Sequence, residues 1–456
     1  MYNLGVSDII ENTARVLFPF SKNKLAVGVS GGRDSMCLLH AVMSCGVVEK
    51  SAITAVHVNH CLREQADDDE RFVREFCEKN GIAFRAFKVD VKKESALNGL
   101  TVEQAARNMR YASFYELIKS GEAEFILTAH HALDNAESIL MHLFRGAGLD
   151  GLCGMSESPR SDGLCGAENN AGELPLIRPF LNVYPKELDE YAAAHGISYV
   201  VDKTNFELDA DRNFIRLKII PAIEERYAGV VRAVGNLATE AKGVCEVLDG
   251  ELDLGLIGDD YGAVTLADEA LSSPLAARYV RRALMFFTTV DVTREQILRV
   301  TELAHMRTGA TVELSGGIKA AREYGRLALY LERPSFAGEI EIVRGANFID
   351  GLAVDVLPSD DYPKTVRGGA VDLDKLEGAV LRFRREGDMF TPCGGKRKKL
   401  KQYFIDNKIP KRLRDRIPLV CRGNDVLVVV GMQVADEAKQ TEKTTAKAII
   451  RLRGRT

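Results

Sequence analysis

Ser30-Gly31-Gly32-Arg33-Asp34-Ser35 lies between two apolar runs, one ending at Val29 and one beginning at Met36. Adjacent glycines after a strand let successive backbone N–H groups turn toward one point, and a following helix adds its positive end. That combination holds phosphate. Asp34 adds a carboxylate that can face a metal ion, and Ser35 adds a hydroxyl donor. The same residues also suit an ordinary strand-to-helix turn capped by Asp34 or Ser35. The pattern G-x-x-x-x-G-K-[ST] is absent, so this is not a Walker A loop. Gly146-Ala147-Gly148-Leu149-Asp150-Gly151 satisfies G-x-G-x-x-G, but it follows a helical run instead of a strand, which excludes a dinucleotide-binding turn.

Four more groups of residues carry chemical potential. His57, His60 and Arg63 stand just past an apolar run. Two histidines at that spacing suit a metal, yet no thiol or carboxylate set completes a site, so core or loop positions are the plainer reading. Glu103, Arg107 and Arg110 fall near one side of a helix, where arginines clamp phosphate or carboxylate, or where Glu and Arg simply pair at i,i+4. Asp134 and Glu137 have the spacing of a capping box and also of a pair of carboxylates directed at a bound cation. Arg178, Asp202, Thr204, Asn205, Arg212, Asn213 and Arg216 punctuate a largely apolar stretch.

These residues need a scaffold, and the pattern around them supplies one. "KLAVGVS" (24–30), "ITAVHVN" (53–59), "FRAFKVD" (84–90), "EFILTAH" (124–130) and "ISYVVD" (197–202) read as buried strands, with amphipathic helical stretches between them. Such alternation predicts a parallel sheet covered by helices on both faces. Ligands in these sheets bind beyond the carboxyl ends of the strands, where every group above falls. Residues 156–174 are polar, Gly-rich and aperiodic, a surface-loop signature. Residues 212–250 are helical with an interruption at Pro221, and strand-like runs return after 340, most clearly at 424–435.

The chain has 456 residues and nine cysteines with no C-x-x-C pair, which points to reduced thiols and a cytoplasmic location. No long apolar run predicts a membrane span, and the amino-terminal stretch lacks the features of a signal peptide. The net charge of −4 is unevenly spread. Residues 381–456 hold 20 Lys+Arg against 8 Asp+Glu, a net of +12, which leaves −16 for residues 1–380. That split suits a polyanionic partner at the carboxyl end, or a basic solvated face.

The string at 30–35 resembles the S-G-G-x-D-S pyrophosphate-binding loop of the N-type ATP pyrophosphatases. "VHVNHCLR" (56–63), "EQAARNMRY" (103–111), "AHHALDNAES" (129–138), "RGAGLDGLCGM" (145–155), "IRPFL" (177–181) and "DKTN…RNFIR" (202–216) then follow in the order found in the tRNA(Ile)-lysidine synthetases. The resemblance covers nearly the whole chain, including the basic tail at 383–420. Leu133 stands where the family pattern has the first acid of a pair, and Cys61 where it has glycine.

The resemblance implies an α/β fold: a parallel, Rossmann-like catalytic sheet over residues 1–215, a mainly helical middle domain over 216–340, and a small basic α+β domain over 341–456. It implies conversion of the wobble cytidine of an isoleucine tRNA with a CAU anticodon to lysidine, using ATP, Mg²⁺ and free L-lysine. The expected ATP-binding residues are Ser30, Gly31, Gly32, Arg33, Asp34, Ser35 and His57. Asp34, Arg107, Arg110, Asp134, Glu137 and Arg212 are expected at the reaction centre, with Asp34, Asp134 and Glu137 as candidate Mg²⁺ holders. A homodimer is a further expectation. Two other readings stay open: a tRNA thiolase of the same superfamily, and a tRNA-binding protein with a vestigial ATP site.

Overall fold

In the computed structural model, residues 6–62, 65–159, 174–200, 210–287, 292–332, 336–358 and 370–453 are described. The chain forms two compact units, one from residues 1–252 and 284–297, the other from 253–283 and 298–456.

The first unit opens with helix α1 (Val6–Leu17), then alternates strand and helix: β1 (Leu25–Gly28), α2 (Arg33–Ser44), β2 (Ile53–Asn59), α3 (Ala66–Asn80), β3 (Ala83–Lys88), α4 (Val91–Asn98), α5 (Val102–Lys119), β4 (Phe125–Leu127), α6 (Ala132–Phe144), α7 (Leu149–Leu152), β5 (Leu176–Ile177) and α8 (Pro185–Ala194). The five strands are all parallel in the order β3-β2-β1-β4-β5. Alternate residues of a strand face opposite sides of a sheet. Leu25 and Val27 therefore join the core formed with α1, α2 and α8, while Ala26 joins Phe114 and Leu117 of α5 on the other face. Strand order reverses between β1 and β4. Ligands of open α/β sheets collect in the crevice outside such a switch point, and the 30–35 turn leaves β1 there.

The expected strand at 197–202 is not formed over 197–200, and residues 201 and 202 lie outside the described residues. The fifth strand is instead the short Leu176–Ile177, which extends the sheet from β4. The apolar content of 197–200 is used differently. Ile197 enters the core, and the Val200 N–H donates to the Gly31 carbonyl at 2.9 Å, tying this segment to the glycine turn.

After α8 come α9 (Ala210–Phe214), a π-helical turn over Ile215–Ile219, α10 (Ile220–Arg226) and α11 (Val230–Gly250). Pro221 cannot donate a backbone hydrogen bond to the preceding turn, and local widening into π geometry accommodates such a defect. The interruption read at Pro221 is thus a change of winding inside a continuing helical run.

The second unit combines helices with three sheets. An antiparallel sheet of five strands spans Ile257–Asp259, Val264–Ala267, Thr311–Glu313, Ile318–Glu323 and Arg326–Leu331. A seven-stranded and a four-stranded sheet follow, built from residues 339–452. The run at 424–435 forms strands Asp425–Val429 and Gln433–Val434. Beside it, Arg382 and Asp388 make a fully buried bidentate pair at 2.7 and 2.9 Å. Among the described residues, no helix is long and apolar enough to cross a membrane.

Candidate active site

The turn after β1 is held by its own polar groups. The Ser35 hydroxyl accepts the Ser30 N–H at 3.1 Å and donates to the Gly32 carbonyl at 2.9 Å, so this side chain braces the loop. Gly31 takes φ +90°, a conformation strained for any residue with a Cβ. Helix α2 starts at Arg33 with Gly32 as its cap and no side-chain cap hydrogen bond. Asp34 and Ser35 are therefore not its caps, and the helix presents its first N–H groups at the end of the strand.

A cavity of about 760 Å³ opens at this point. The turn residues Ser30, Gly32, Arg33, Asp34 and Ser35 form one wall, the end of β2 with His57 and His60 another, and α5 with Arg107 and Arg110 a third. His57 is buried, and its Nδ1 lies 2.9 Å from the Val29 carbonyl, which orients the ring beneath the turn. Burial holds its pKa below the usual value, and the same cause, with Arg110 nearby, takes His60 to about 4. Both imidazoles are neutral at pH 7. Among the described residues, the buried His60 Nδ1 has no hydrogen-bond partner. Partial loss of solvent also lowers the pKa of the Arg110 guanidinium, with Arg107 adding to it. A cation crowded in this way gains from an arriving anion. Arg107 stacks on Tyr111, 5.0 Å from the ring centre.

Cys61 adopts φ +51° and so keeps the left-handed backbone that glycine favours. The Asn59 side chain supports it by accepting the Cys61 N–H at 3.0 Å. Arg63 lies outside the described residues, as do Asp202, Thr204, Asn205 and most of the 156–174 loop.

Asp134, Glu137 and Arg212 form a second group next to the cavity and are not among its lining residues. Helix α6 begins at Ala132, so the capping box pairs His131 with Asp134 and not Asp134 with Glu137. The His131 N–H donates to Asp134 at 3.0 Å, and the Asp134 N–H to His131 Nδ1 at 3.4 Å. The other ring nitrogen of His131 lies 3.7 Å from Asp34, so this histidine links the loop carboxylate to the helix carboxylate. Glu137, one turn on, is fully buried. Arg216 donates to it through Nε at 2.5 Å and Nη2 at 3.0 Å, and to Asp134 at 2.8 Å. Arg212 approaches Glu137 at 3.4 Å and donates to Ser138 at 3.0 Å. Burial raises the Glu137 pKa despite Arg216. In Asp134 the opposing pull of His131, His130 and Arg216 outweighs burial and lowers it.

Of the three carboxylates expected to hold Mg²⁺, Asp34 and Asp134 meet opposite nitrogens of the His131 ring. Asp134 and Glu137 are committed to Arg216, and among the described residues no cluster of three His, Cys, Asp or Glu is arranged to bind a metal. Asp34 alone of the three lines the cavity, which suits an ion held by one carboxylate and by phosphate oxygens.

Leu133 packs beside Leu140, Ile215 and Ile220. An acid there would enter an apolar cluster. Asn135 accepts the Met155 N–H at 2.8 Å, and a Cβ at Gly154 would come within 2.4 Å of its carbonyl oxygen, which explains the glycine before Met155.

Sequence reasoning missed Asp189 and the pairing role of Arg216. Asp189 reads as one of several acids on the solvent side of α8, and nothing local marks it. Arg216 stands out only as a charge in an apolar run. In the tail, Lys396, Arg397, Lys399, Lys401 and Lys411 are exposed. Arg412 is not offered to solvent: it pairs with Asp260 at 2.7 Å and Glu323 at 2.8 Å and is only 6 % exposed.

Comparison with known proteins adds to this geometry. A family model described as a PP-loop domain matches residues 6–223, and one described as a TilS substrate C-terminal domain matches residues 379–450. The chain is 32% identical to the tRNA(Ile)-lysidine synthase of Clostridium tetani over 98% of both chains. It is 32% identical to that of Clostridium perfringens, covering 95% of this chain and 96% of the relative. With that of Caldanaerobacter subterraneus it shares 30% identity over 94% of this chain and 93% of the relative.

Proposed function

Since the chain belongs to the tRNA(Ile)-lysidine synthase family and is an ATP-using enzyme of tRNA modification, we propose the following division of labour among its own residues. ATP binds in the 760 Å³ cavity with its β and γ phosphates on the turn at 30–35. The C2 oxygen of the wobble cytidine attacks the α-phosphate, pyrophosphate leaves, and the ε-amine of free L-lysine then displaces AMP to give lysidine. The observation that carries this reading is the uncapped helix N-terminus and glycine turn, facing Arg107 and Arg110 across one cavity at the sheet's switch point.

The negative charge that grows on the departing pyrophosphate is met by fixed N–H groups that need no reorganisation. Arg107 and Arg110 bind the α-phosphate or the carboxylate of lysine. Asp34 is the residue that would hold Mg²⁺, which supplies charge neutralisation at the phosphates. Asp134 and Glu137, fixed by Arg216 and reaching Asp34 through His131, keep the loop carboxylate oriented. The neutral His60 and His57 accept hydrogen bonds from substrate amino groups. Three guanidiniums, those of Arg33, Arg107 and Arg110, line the cavity beside the carboxylates of Asp34, Asp69, Glu103 and Asp189, so anionic and cationic groups of the substrates each find an opposite charge there.

The tRNA is held through its phosphates by the exposed lysines of the tail, Lys396, Lys399, Lys401 and Lys411. Such contacts position without reading sequence. A thiolase reading would call for thiols in the cavity, and among the described residues no cysteine lines it. The intact loop speaks against a vestigial site.

One assay tests the proposal. Purified protein with ATP, labelled lysine and an isoleucine tRNA bearing a CAU anticodon should incorporate label into RNA and release AMP and pyrophosphate. Intact tRNA binding without lysine incorporation would overturn it.

A further inference from the structure

Arg33 occupies the variable position of the S-G-G-x-D-S loop, where the backbone and not the side chain makes the turn. In this chain the side chain is placed with care. Its Nε donates to Asp34 Oδ1 at 2.8 Å and Nη2 lies 2.7 Å from the same oxygen, while Nη1 meets Asp189 of α8 at 2.5 Å. The guanidinium thus spans the loop carboxylate and a second acid 156 residues beyond Arg33 along the chain. Both ends of this bridge line the cavity.

The Asp189 side chain is 57 % exposed and that of Arg33 is 23 % exposed. An ion pair so open to solvent contributes little to stability. Its geometry matters more. Arg33 engages Asp34 at Oδ1 while His131 lies toward Oδ2, and its Nε/Nη2 edge, which here chelates one carboxylate oxygen, can equally take a phosphate oxygen.

We propose that Asp189 is a positioning residue that anchors Arg33 by Nη1, so that the Nε/Nη2 edge of the guanidinium moves from Asp34 to a pyrophosphate oxygen when the nucleotide arrives. The move uncovers Asp34 and adds one cation to the leaving group. Asp189 itself touches no substrate and acts only through Arg33. This inference rests on the assignment of the cavity to ATP.

The test is equilibrium titration of pyrophosphate and of ATP, without tRNA, into the full-length wild type, Asp189→Asn, Arg33→Met and the double variant, alongside steady-state lysidine formation. Asp189→Asn should weaken pyrophosphate binding and raise KM for ATP by about three- to tenfold, within the range of coupling seen in shared ion-pair networks, with a smaller change in kcat. Arg33→Met should lose at least as much. In the Arg33→Met background Asp189→Asn should add nothing. Asp189→Glu, which retains the charge, should recover most of the binding. Two results would overturn the proposal: wild-type affinity in Asp189→Asn, or additive losses in the double variant, which would show Asp189 acting independently of Arg33. If the wild type itself bound neither ATP nor pyrophosphate, the assignment of the cavity would fail instead.

Discussion

Replacing Arg216 by Met removes the cation that compensates the fully buried Glu137. That carboxylate would give up hydrogen bonds at 2.5 and 3.0 Å, and Asp134 one at 2.8 Å. Breaking a buried pair by deleting one partner costs about 3–5 kcal/mol. Arg216 is itself one-third exposed, and Arg212 remains 3.4 Å from Glu137, so roughly 2–4 kcal/mol is expected here. For a unit of this size that corresponds to a fall of roughly 5–15 °C in the midpoint of its melting transition.

The loss should depend on pH with a defined sign. Burial already raises the Glu137 pKa, and removal of Arg216 raises it further. A carboxyl whose folded pKa lies above its unfolded value binds a proton on folding, so its contribution is most favourable below the unfolded pKa and declines as pH rises through the folded one. The deficit of Arg216→Met relative to wild type should therefore be small near pH 5 and larger at pH 8. Melting of the full-length protein by near-UV circular dichroism at both pH values measures it, with Arg216→Met/Glu137→Gln as control. The neutral amide should restore much of the stability at pH 8. A pH-independent deficit, or no recovery in the double variant, would refute the claim that an uncompensated Glu137 charge is the cause.

Asp34→Ala should abolish pyrophosphate release while leaving tRNA affinity within about twofold of wild type by filter binding, because Asp34 lies on the cavity and not in the basic tail. Neutralising Lys396, Arg397, Lys398 and Lys399 together should weaken tRNA binding and flatten its salt dependence, by about one unit of slope for each phosphate that goes unneutralised. Arg397 and Lys398 are partly engaged by Asp425 and Asp406, so the change should fall short of the full count of substituted cations. Leu133→Asp, which restores the family's acid, should destabilise the protein by about 1–3 kcal/mol in urea unfolding, because the new carboxylate faces Ile215 and Leu140. Arg110→Met should reduce kcat/KM for ATP by about tenfold or more, the effect expected of one charge-assisted hydrogen bond to an anionic substrate.

The reach of the sequence differs from element to element. Three of the five catalytic strands, β1, β2 and β4, were legible as buried apolar runs, and β3 was legible by composition although, as the edge strand, it has no buried residue. The fifth was not: Leu176–Ile177 is too short to show periodicity, and Ile197–Val200 has strand-like composition but packs as a loop. The Ser30–Ser35 turn and the arginines of α5 were visible in the sequence, but each also suited a plainer role, a capped turn or an i,i+4 pair, and the cavity they share became visible only in the fold. For Asp134 and Glu137 the residue types were legible, and the fold adds Arg216 as their shared partner.

The sequence by itself determined the alternating sheet, the glycine turn at the carboxyl end of its first strand, the charge split toward the tail and, through the order of its motifs, the family. Those properties depend on local periodicity, on residue type and on spacing along the chain. Tertiary structure alone decided which charges meet. Arg216 lies 79 residues beyond Glu137 and Asp189 lies 156 beyond Arg33. Partnership between charges depends on distance and burial in space, and neither is encoded in the spacing of one segment. Asp134 and Glu137 share Arg216, and Asp34 lies across His131 from Asp134, for that reason. Leu133, an apparent defect in the motif, proved to be part of an apolar cluster.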